Sequence, residues 1–348
     1  MKKSNLYIFV MAMLMTLLIF SALAENRAHI VEAHAWLQVS PEPPNQNIHI
    51  YLPLITNRAA TPNTTLPQPP LSPTKLIFIH HSTGEGWLED NYGDLGKTLM
   101  QNNYIVSDTN YGWGSDDIGG RTDIGHWMSW FRGSNTSTYT RELYQYFGRN
   151  ANYSRVQTDP GGENEIVMFK SCFPNSGLRG SIADPIPAIT QNPLKDQGSD
   201  SPYHTVSNAK GIYIDLLEYF KTRPDKLFIV ITAPPLGSGE WANNARAFNN
   251  WLVNDWLRGY QFKNLRVFDF YNVLTSNGGS PDKNDLASAN GNHHRFKNGK
   301  VEHIIGSSSN TLAYPTGDDH PSKAGDLKAS AEFLPLLNLW VAEWKAAQ

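Results

Sequence analysis

Short apolar runs alternate with amphipathic stretches from about residue 75 to the end of the chain. Five runs are apolar or nearly so, as expected for strands buried on both faces. They occupy residues 76–79, 104–106, 166–169, 227–231 and 265–270. Apolar residues recur at helical spacing between and after them, over 95–102, 209–221, 241–257 and 323–345. This alternation predicts an α/β fold in which helices cover both faces of a parallel sheet.

The first residues of the chain carry the three-part pattern of a secretory signal. A basic start precedes an apolar run over 6–22, and Ala22 and Ala24 occupy the two positions that a signal peptidase reads. The pattern predicts a signal peptide over 1–24 and a secreted protein, extracellular or in the cell envelope. The alternative is an uncleaved segment, since the run is nearly long enough to span a bilayer. The protein would then contact the membrane through this segment alone.

Residues 25–73 differ in composition from the rest of the chain. Proline is scattered among Thr and Asn, which is typical of an extended linker. A short apolar segment at 48–55 has the pattern of an edge strand. The sequence therefore predicts a signal peptide, this Pro/Thr-rich linker, and one catalytic domain over 74–348.

Charge and cysteine content exclude several classes of protein. The 348 residues include 29 Lys and Arg against 32 Asp and Glu, a formal net charge of −3. Nucleic acid is not expected as a partner, because phosphate binding needs a basic surface. Cys172 is the only cysteine. No intrachain disulfide can form, and neither can a zinc site built from two thiolates.

Candidate catalytic side chains follow the predicted strands, where open α/β sheets bind their ligands. Ser82 lies in a glycine-containing turn after the first strand, and Asn175 lies in a Pro-Asn turn after the third. His320 comes just before the last helix, after Asp318 and Asp319. A serine beside helix-start amides suits a nucleophile. A histidine can act as its base, with a carboxylate holding the tautomer.

Each of these residues also has an ordinary structural explanation. Ser82 has the residue type and position of a helix cap. Asn175 suits a turn in which it bonds its own backbone. The Asp-Asp-His segment at 318–320 suits an N-cap aspartate beside a surface histidine.

The order of these residues resembles the SGNH (GDSL-like) hydrolase family over about residues 75–346. The strongest parts are the segment 318–322 and the run 230–235 with Asn249 downstream, which look like the family's final block and fourth strand. The resemblance implies a three-layer α/β/α sandwich with a five-stranded parallel, flavodoxin-like sheet. It also implies a carboxylic ester hydrolase that works through an acyl-enzyme and needs neither a cofactor nor a metal.

The resemblance assigns roles to individual residues. Ser82 would be the nucleophile, His320 its base, and Asp318 the acid that orients His320. Asn175 would donate to the oxyanion together with the Ser82 amide. A glycine amide after the second strand would complete the oxyanion hole, and the candidates are Gly119 and Gly120.

The sequence departs from the family pattern at three places. His80 and His81 replace the Gly-Asp before the usual serine, and the segment 171–175 replaces the G-x-N-D block. Gly317 stands where the usual Asp precedes the histidine by three residues, so the acid is Asp318 or Asp319. The D-x-H spacing resembles carbohydrate O-acetyl-transferring enzymes, which makes an O-acetyltransferase an alternative.

The tryptophans bear on the substrate. Trp87, Trp113 and Trp127 fall in the segments after the first two strands, which should border the site. Aromatic faces there suit sugar rings, and ordinary packing is the equally weighted alternative. With secretion, they favour an acylated extracellular carbohydrate as substrate, from which acetyl or another small acyl group is removed.

Three further readings stay open. One is a non-catalytic protein that binds carbohydrate on the same fold. Another is a metal-dependent hydrolase with ligands from residues 80–81, 293–294 and 318–320, although the usual ligand spacings are absent. The third is a hydrolase that uses Cys172 as a thiol nucleophile, although a lone cysteine is more often inert.

Overall fold

The structure is a computed structural model that describes residues 66–348. The predicted signal peptide over 1–24, the apolar segment at 48–55 and most of the predicted linker lie outside the described residues. Within 66–348, no helix combines the length and the apolar character needed to cross a bilayer.

Five parallel strands form the central sheet, in the order β2-β1-β3-β4-β5. The strands are β1 (Thr74–Ile79), β2 (Tyr104–Thr109), β3 (Ile166–Lys170), β4 (Leu227–Ile231) and β5 (Leu265–Phe268). Each lies at one of the predicted apolar runs. The order is flavodoxin-like, and the chain changes direction across the sheet at β1. The prediction of a five-stranded parallel, flavodoxin-like sheet is confirmed.

Eight α-helices accompany the sheet within the described residues. They are α1 (Thr83–Leu88), α2 (Leu95–Gln101), α3 (Trp127–Arg132), α4 (Thr136–Gln145), α5 (Val206–Phe220), α6 (Ala242–Asn254), α7 (Phe270–Val273) and α8 (Lys323–Lys345). The helices α2, α5, α6 and α8 lie at the four predicted positions. Short 3₁₀ turns at Ser115–Gly120 and Phe173–Ser176 fall in the loops after β2 and β3.

The sheet separates two apolar layers. Leu76 and Phe78 of β1 pack in the layer that contains α1, α2 and α8, whereas Ile77 and Ile79 pack with α3, α5 and α6. Successive side chains of a strand point to opposite faces, so a run that is apolar throughout must be covered on both. The fold is therefore the expected three-layer α/β/α sandwich.

An antiparallel hairpin lies between β5 and α8. Its strands are β6 (Asn292–Lys297) and β7 (Lys300–Ile305), joined at Asn298 and Gly299, which both have positive φ. Positive φ at both central residues is typical of a tight hairpin turn. The apolar pattern does not predict this hairpin, because most of its residues are polar.

Candidate active site

The first part of the site lies where the chain changes direction across the sheet. Ser82 follows β1 by three residues, and Cys172 follows the adjacent β3 by two. Their Oγ and Sγ atoms are 3.1 Å apart. Parallel strands end at one edge of the sheet, and the position between β1 and β3 is where such folds bind ligands. The topology thus explains why two residues far apart in sequence meet there.

The second part is the loop before α8, where an aspartate holds His320. Asp318 Oδ1 lies 3.0 Å from His320 Nδ1 and accepts the His320 backbone N–H at 2.8 Å. These two contacts and the Thr316 hydroxyl lower the pKa of Asp318, the backbone hydrogen bond most strongly. Asp319 instead accepts the backbone N–H of Gly237 at 2.6 Å. The geometry therefore favours Asp318 over Asp319 as the acid of the pair.

Ser82 and His320 line one cavity of about 210 Å³. Its other lining residues are Thr83, Gly86, Glu89, Tyr92, Pro321 and Asp326. The Tyr92 hydroxyl donates to the Pro321 carbonyl at 2.8 Å, and this bond ties the His320 loop to the chain after α1. The Phe173 ring packs edge-on against His320, with centroids 5.0 Å apart.

The Ser82 hydroxyl is not hydrogen-bonded to His320 in this structure. It pairs with Cys172, while Asp318 occupies Nδ1 of the imidazole. Catalytic hydrogen bonds are often long or unformed without substrate and tighten when it binds. The serine mechanism requires the Ser82 hydroxyl to exchange its contact with Cys172 for one with His320.

A buried lysine, Lys170, lies beneath Ser82 and Cys172. It ends β3, is fully buried, and donates to the Thr83 hydroxyl and to the Ser171 carbonyl, the latter at 3.2 Å. Burial lowers the pKa of its ammonium group. Sequence reasoning missed this residue, although a lysine at the end of an apolar strand is an unusual choice for a buried position.

Cys172 lies in an environment that favours its thiolate. Its sulfur is 3.1 Å from Ser82 Oγ and 3.5 Å from Thr83 Oγ1, and it accepts the Thr83 backbone N–H. Burial raises the pKa of the thiol, but the Lys170 ammonium and these hydrogen bonds outweigh it, so the pKa is lowered overall. Low thiol pKa values accompany nearby cations and donors of this kind.

Replacing Lys170 with methionine should move the ionisation of Cys172 to higher pH. Because the pKa of the Cys172 thiol is lowered, its thiolate persists at pH values at which an ordinary thiol is protonated. The thiolate is lost as the pH falls through this lowered pKa. Without the ammonium, burial raises the pKa. The rate of iodoacetamide labelling at Cys172 across pH measures the midpoint. The matched control is Lys226→Met, since Lys226 is a buried lysine at the amino-terminal end of β4, away from Cys172. Equal midpoints in wild type and Lys170→Met would contradict this account.

No family model matches the chain, and no curated protein matches it. The flavodoxin-like fold alone does not decide function, because one fold carries many activities. Any function of this chain must therefore be inferred from the side chains at the site.

The predicted oxyanion residues are already engaged elsewhere. Asn175 is buried, and its amide donates to Asp123 Oδ1 at 2.6 Å and to the Cys172 carbonyl at 3.3 Å. The Gly119 amide donates to the Trp113 carbonyl at 2.8 Å. An oxyanion role for Asn175 or Gly119 therefore requires these hydrogen bonds to break.

The predicted oxyanion residues also lie outside the lining of the cavity. Neither Asn175, Gly119 nor Gly120 lines the space that Ser82 and His320 share. The Ser82 backbone N–H, in contrast, donates to no acceptor among residues 66–348. It is the predicted oxyanion donor that remains free to bind substrate.

The predicted sugar-binding tryptophans are packing residues. Trp87 and Trp127 have no exposed surface, and Trp113 is only 9% exposed. Trp87 packs between the sheet and α8 in the apolar layer, and Trp127 donates its indole N–H to Ser171 Oγ at 3.1 Å. The expectation that they bind substrate is wrong in this structure, because no face of these rings is open to a sugar.

The histidines of the metal-dependent alternative lie in separate places. His80 pairs with Asp108, His293 with Glu332, and His320 with Asp318. Within residues 66–348, no group of three or more His, Cys, Asp or Glu side chains is arranged to hold a metal ion. The alternative therefore has no ligand set in the part of the chain that the structure describes.

Proposed function

We propose that the protein is a serine esterase of the SGNH type that removes acetyl or another small acyl group from an extracellular carbohydrate. The observation that carries the proposal is the shared cavity of Ser82 and His320, with Asp318 bound to Nδ1 of the imidazole. The arrangement contains a nucleophile, a base and an acid, and the contact between base and acid is already formed.

The mechanism follows from these contacts. Serine is a weak nucleophile at its own pKa and needs a base. Because Asp318 holds Nδ1, His320 offers Nε2 to accept the Ser82 proton and return it to the leaving alkoxide. The Ser82 oxygen bonds to the acyl carbon, the alkoxide leaves, and water later releases the acid. The free Ser82 amide donates to the oxyanion formed in each step.

The size of the cavity supports a small acyl group. Its volume of about 210 Å³ is below the range of roughly 300–1,000 Å³ found for sites that enclose drug-sized ligands. Glu89 contributes a carboxyl group to its lining, which disfavours an anionic acyl chain. An uncharged group such as acetyl fits both properties.

Carbohydrate as the acyl-bearing partner rests on other observations. The buried tryptophans no longer support it, but Tyr111 offers an aromatic surface at the site. Its side chain is 65% exposed and stacks on His81, the residue before Ser82, with ring centroids 3.7 Å apart. One face of the Tyr111 ring is therefore free for a sugar. The predicted secretory signal is the second support.

Replacing Tyr111 with alanine should selectively weaken carbohydrate substrates. We expect the KM for acetylated xylan to rise about fivefold, since loss of one aromatic contact costs about 1 kcal/mol. Turnover of p-nitrophenyl acetate, which has no sugar, should stay unchanged. Tyr203→Ala is the matched control, because Tyr203 is also half exposed but does not contact His81. Equal effects on both substrates would argue against a sugar platform.

A thiol hydrolase using Cys172 is the second candidate, and the low pKa of this thiol favours it. Against it, Cys172 does not line the cavity that contains His320. An O-acetyltransferase or a non-catalytic carbohydrate-binding protein would use the same site as the proposed esterase. They differ from it in what happens to the acyl group. Transfer to an added glycan acceptor supports the first, and glycan binding without turnover supports the second.

The test is the turnover of p-nitrophenyl acetate and acetylated xylan by the purified full chain. Release of acetate from both supports the proposal. Acetate release from neither ester would overturn it, and appearance of the acetyl group on an acceptor sugar would replace hydrolysis by transfer.

A further inference from the structure

The mechanism leaves one carboxyl group in the cavity without a role. Asp326 lies in the first turn of α8, six residues after His320, and is 1% exposed. Its side chain lines the same cavity as Ser82 and His320. A buried carboxyl group that borders a reactive serine needs an explanation, because such groups are costly to bury unless they are paired.

Asp326 has no such pairing within the described residues. Its Oδ1 atom is buried without a hydrogen-bond partner. The nearby buried cation, Lys170, makes no ion pair with it within 4.0 Å and donates to Thr83 and Ser171 instead. On the other side, Oδ2 lies 3.6 Å from where a Cβ would stand at Gly86. A glycine there keeps the space in front of the carboxyl group open.

The surroundings favour the uncharged form of this group. Burial raises the pKa of Asp326 well above its usual value, and the more distant Lys170 ammonium opposes this only in part. The other titratable groups in the cavity lining are Glu89, Tyr92 and His320, and neither Glu89 nor Tyr92 adds a cation. A neutral carboxylic acid presents one O–H donor and one carbonyl acceptor.

We propose that Asp326 is a substrate-binding residue whose carboxylic acid pairs with a free hydroxyl group of the acylated carbohydrate. The acid O–H is on Oδ2, the carboxyl oxygen beside Gly86, and donates to the hydroxyl oxygen of the substrate. The pairing selects a polyol ester over an alkyl ester of the same size, since an alkyl chain would leave the buried acid without a partner. This inference rests on the proposed esterase function for its kinetic test.

Two acetate esters of similar size separate the possibilities. Glycerol monoacetate carries free hydroxyl groups, and propyl acetate carries none. We expect kcat/KM to favour glycerol monoacetate by about tenfold in wild type. Asp326→Asn keeps a neutral donor and acceptor and should keep this preference, whereas Asp326→Leu should lose it. A preference that survives Asp326→Leu, or is lost equally in both variants, would overturn the proposal.

An infrared measurement tests the contact without turnover. The difference spectrum between wild type and Asp326→Asn should contain the carbonyl band of a protonated carboxyl group. In the Ser82→Ala background, glycerol should shift this band and propanol should not. No protonated band, or a band that glycerol leaves in place, would overturn the inference. A glycerol shift in a protein that hydrolyses no ester would instead reject the esterase function and retain the hydroxyl site.

Discussion

Replacing Ser82 with alanine should lower kcat/KM for p-nitrophenyl acetate by about 10⁴-fold or more. Without the hydroxyl there is no acyl-enzyme, so only binding and the remaining oxyanion contact can assist the attack of water. The stability of the fold should change little, because Ser82 is partly exposed and, among residues 66–348, its hydroxyl is hydrogen-bonded to Cys172 alone. Steady-state turnover and the thermal unfolding midpoint are to be measured on the same preparation.

Cys172→Ala is the matched control for this prediction. It removes the Cys172 thiol that is hydrogen-bonded to the Ser82 hydroxyl, yet it should cost at most about tenfold, the scale of one lost hydrogen bond. The serine account fails if the two variants exchange behaviour, with Ser82→Ala active and Cys172→Ala inactive. That result would make Cys172 the nucleophile and Lys170 the cation that activates it.

The two aspartates before His320 should differ sharply in their effects. His320→Ala removes the base and should lower kcat about 10⁴-fold. Asp318→Asn should lower kcat about a hundredfold, less than for a buried triad acid, because Asp318 is 65% exposed and solvent screens its charge. The loss arises because the neutral amide of asparagine, unlike the Asp318 carboxylate, does not stabilise the imidazolium that forms on His320 during turnover.

Asp319→Asn provides the comparison at the neighbouring position. Its carboxylate bonds to the Gly237 amide rather than to His320, so kcat should stay within about threefold of wild type, as for a surface substitution. The pH dependence of kcat distinguishes a direct effect on the catalytic base from a displacement of the loop that carries His320. A greater loss of kcat in Asp319→Asn than in Asp318→Asn would contradict the assigned pair.

The fold was predictable from sequence because its signal is local. A strand covered on both faces must be apolar along its length, and β1 and β4 show this without reference to the rest of the chain. The β6–β7 hairpin has no such signal. Its polar residues become buried through distant partners, as when His293 pairs with Glu332 of α8 at 2.7 Å.

The site was predictable only where strand ends determine it. Ser82 and His320 could be singled out as candidates because the ends of strands and the start of the last helix can be read from the pattern. Lys170 and Asp326 were missed, since a lysine at a strand end and an aspartate in a first helical turn have ordinary explanations. The burial of Trp87 and the Asn175–Asp123 bond depend on packing between distant segments, which residue types do not reveal.

The most direct test of the account is to label the nucleophile itself. The full chain is treated with a fluorophosphonate, which phosphonylates activated serines, and the adduct is located by peptide mass spectrometry. We predict one phosphonyl group, on Ser82, with labelling greatly slowed in His320→Ala because the hydroxyl is no longer deprotonated. An adduct on Thr83 or Cys172, or an unlabelled Ser82 in a protein that hydrolyses esters, would contradict the central claim.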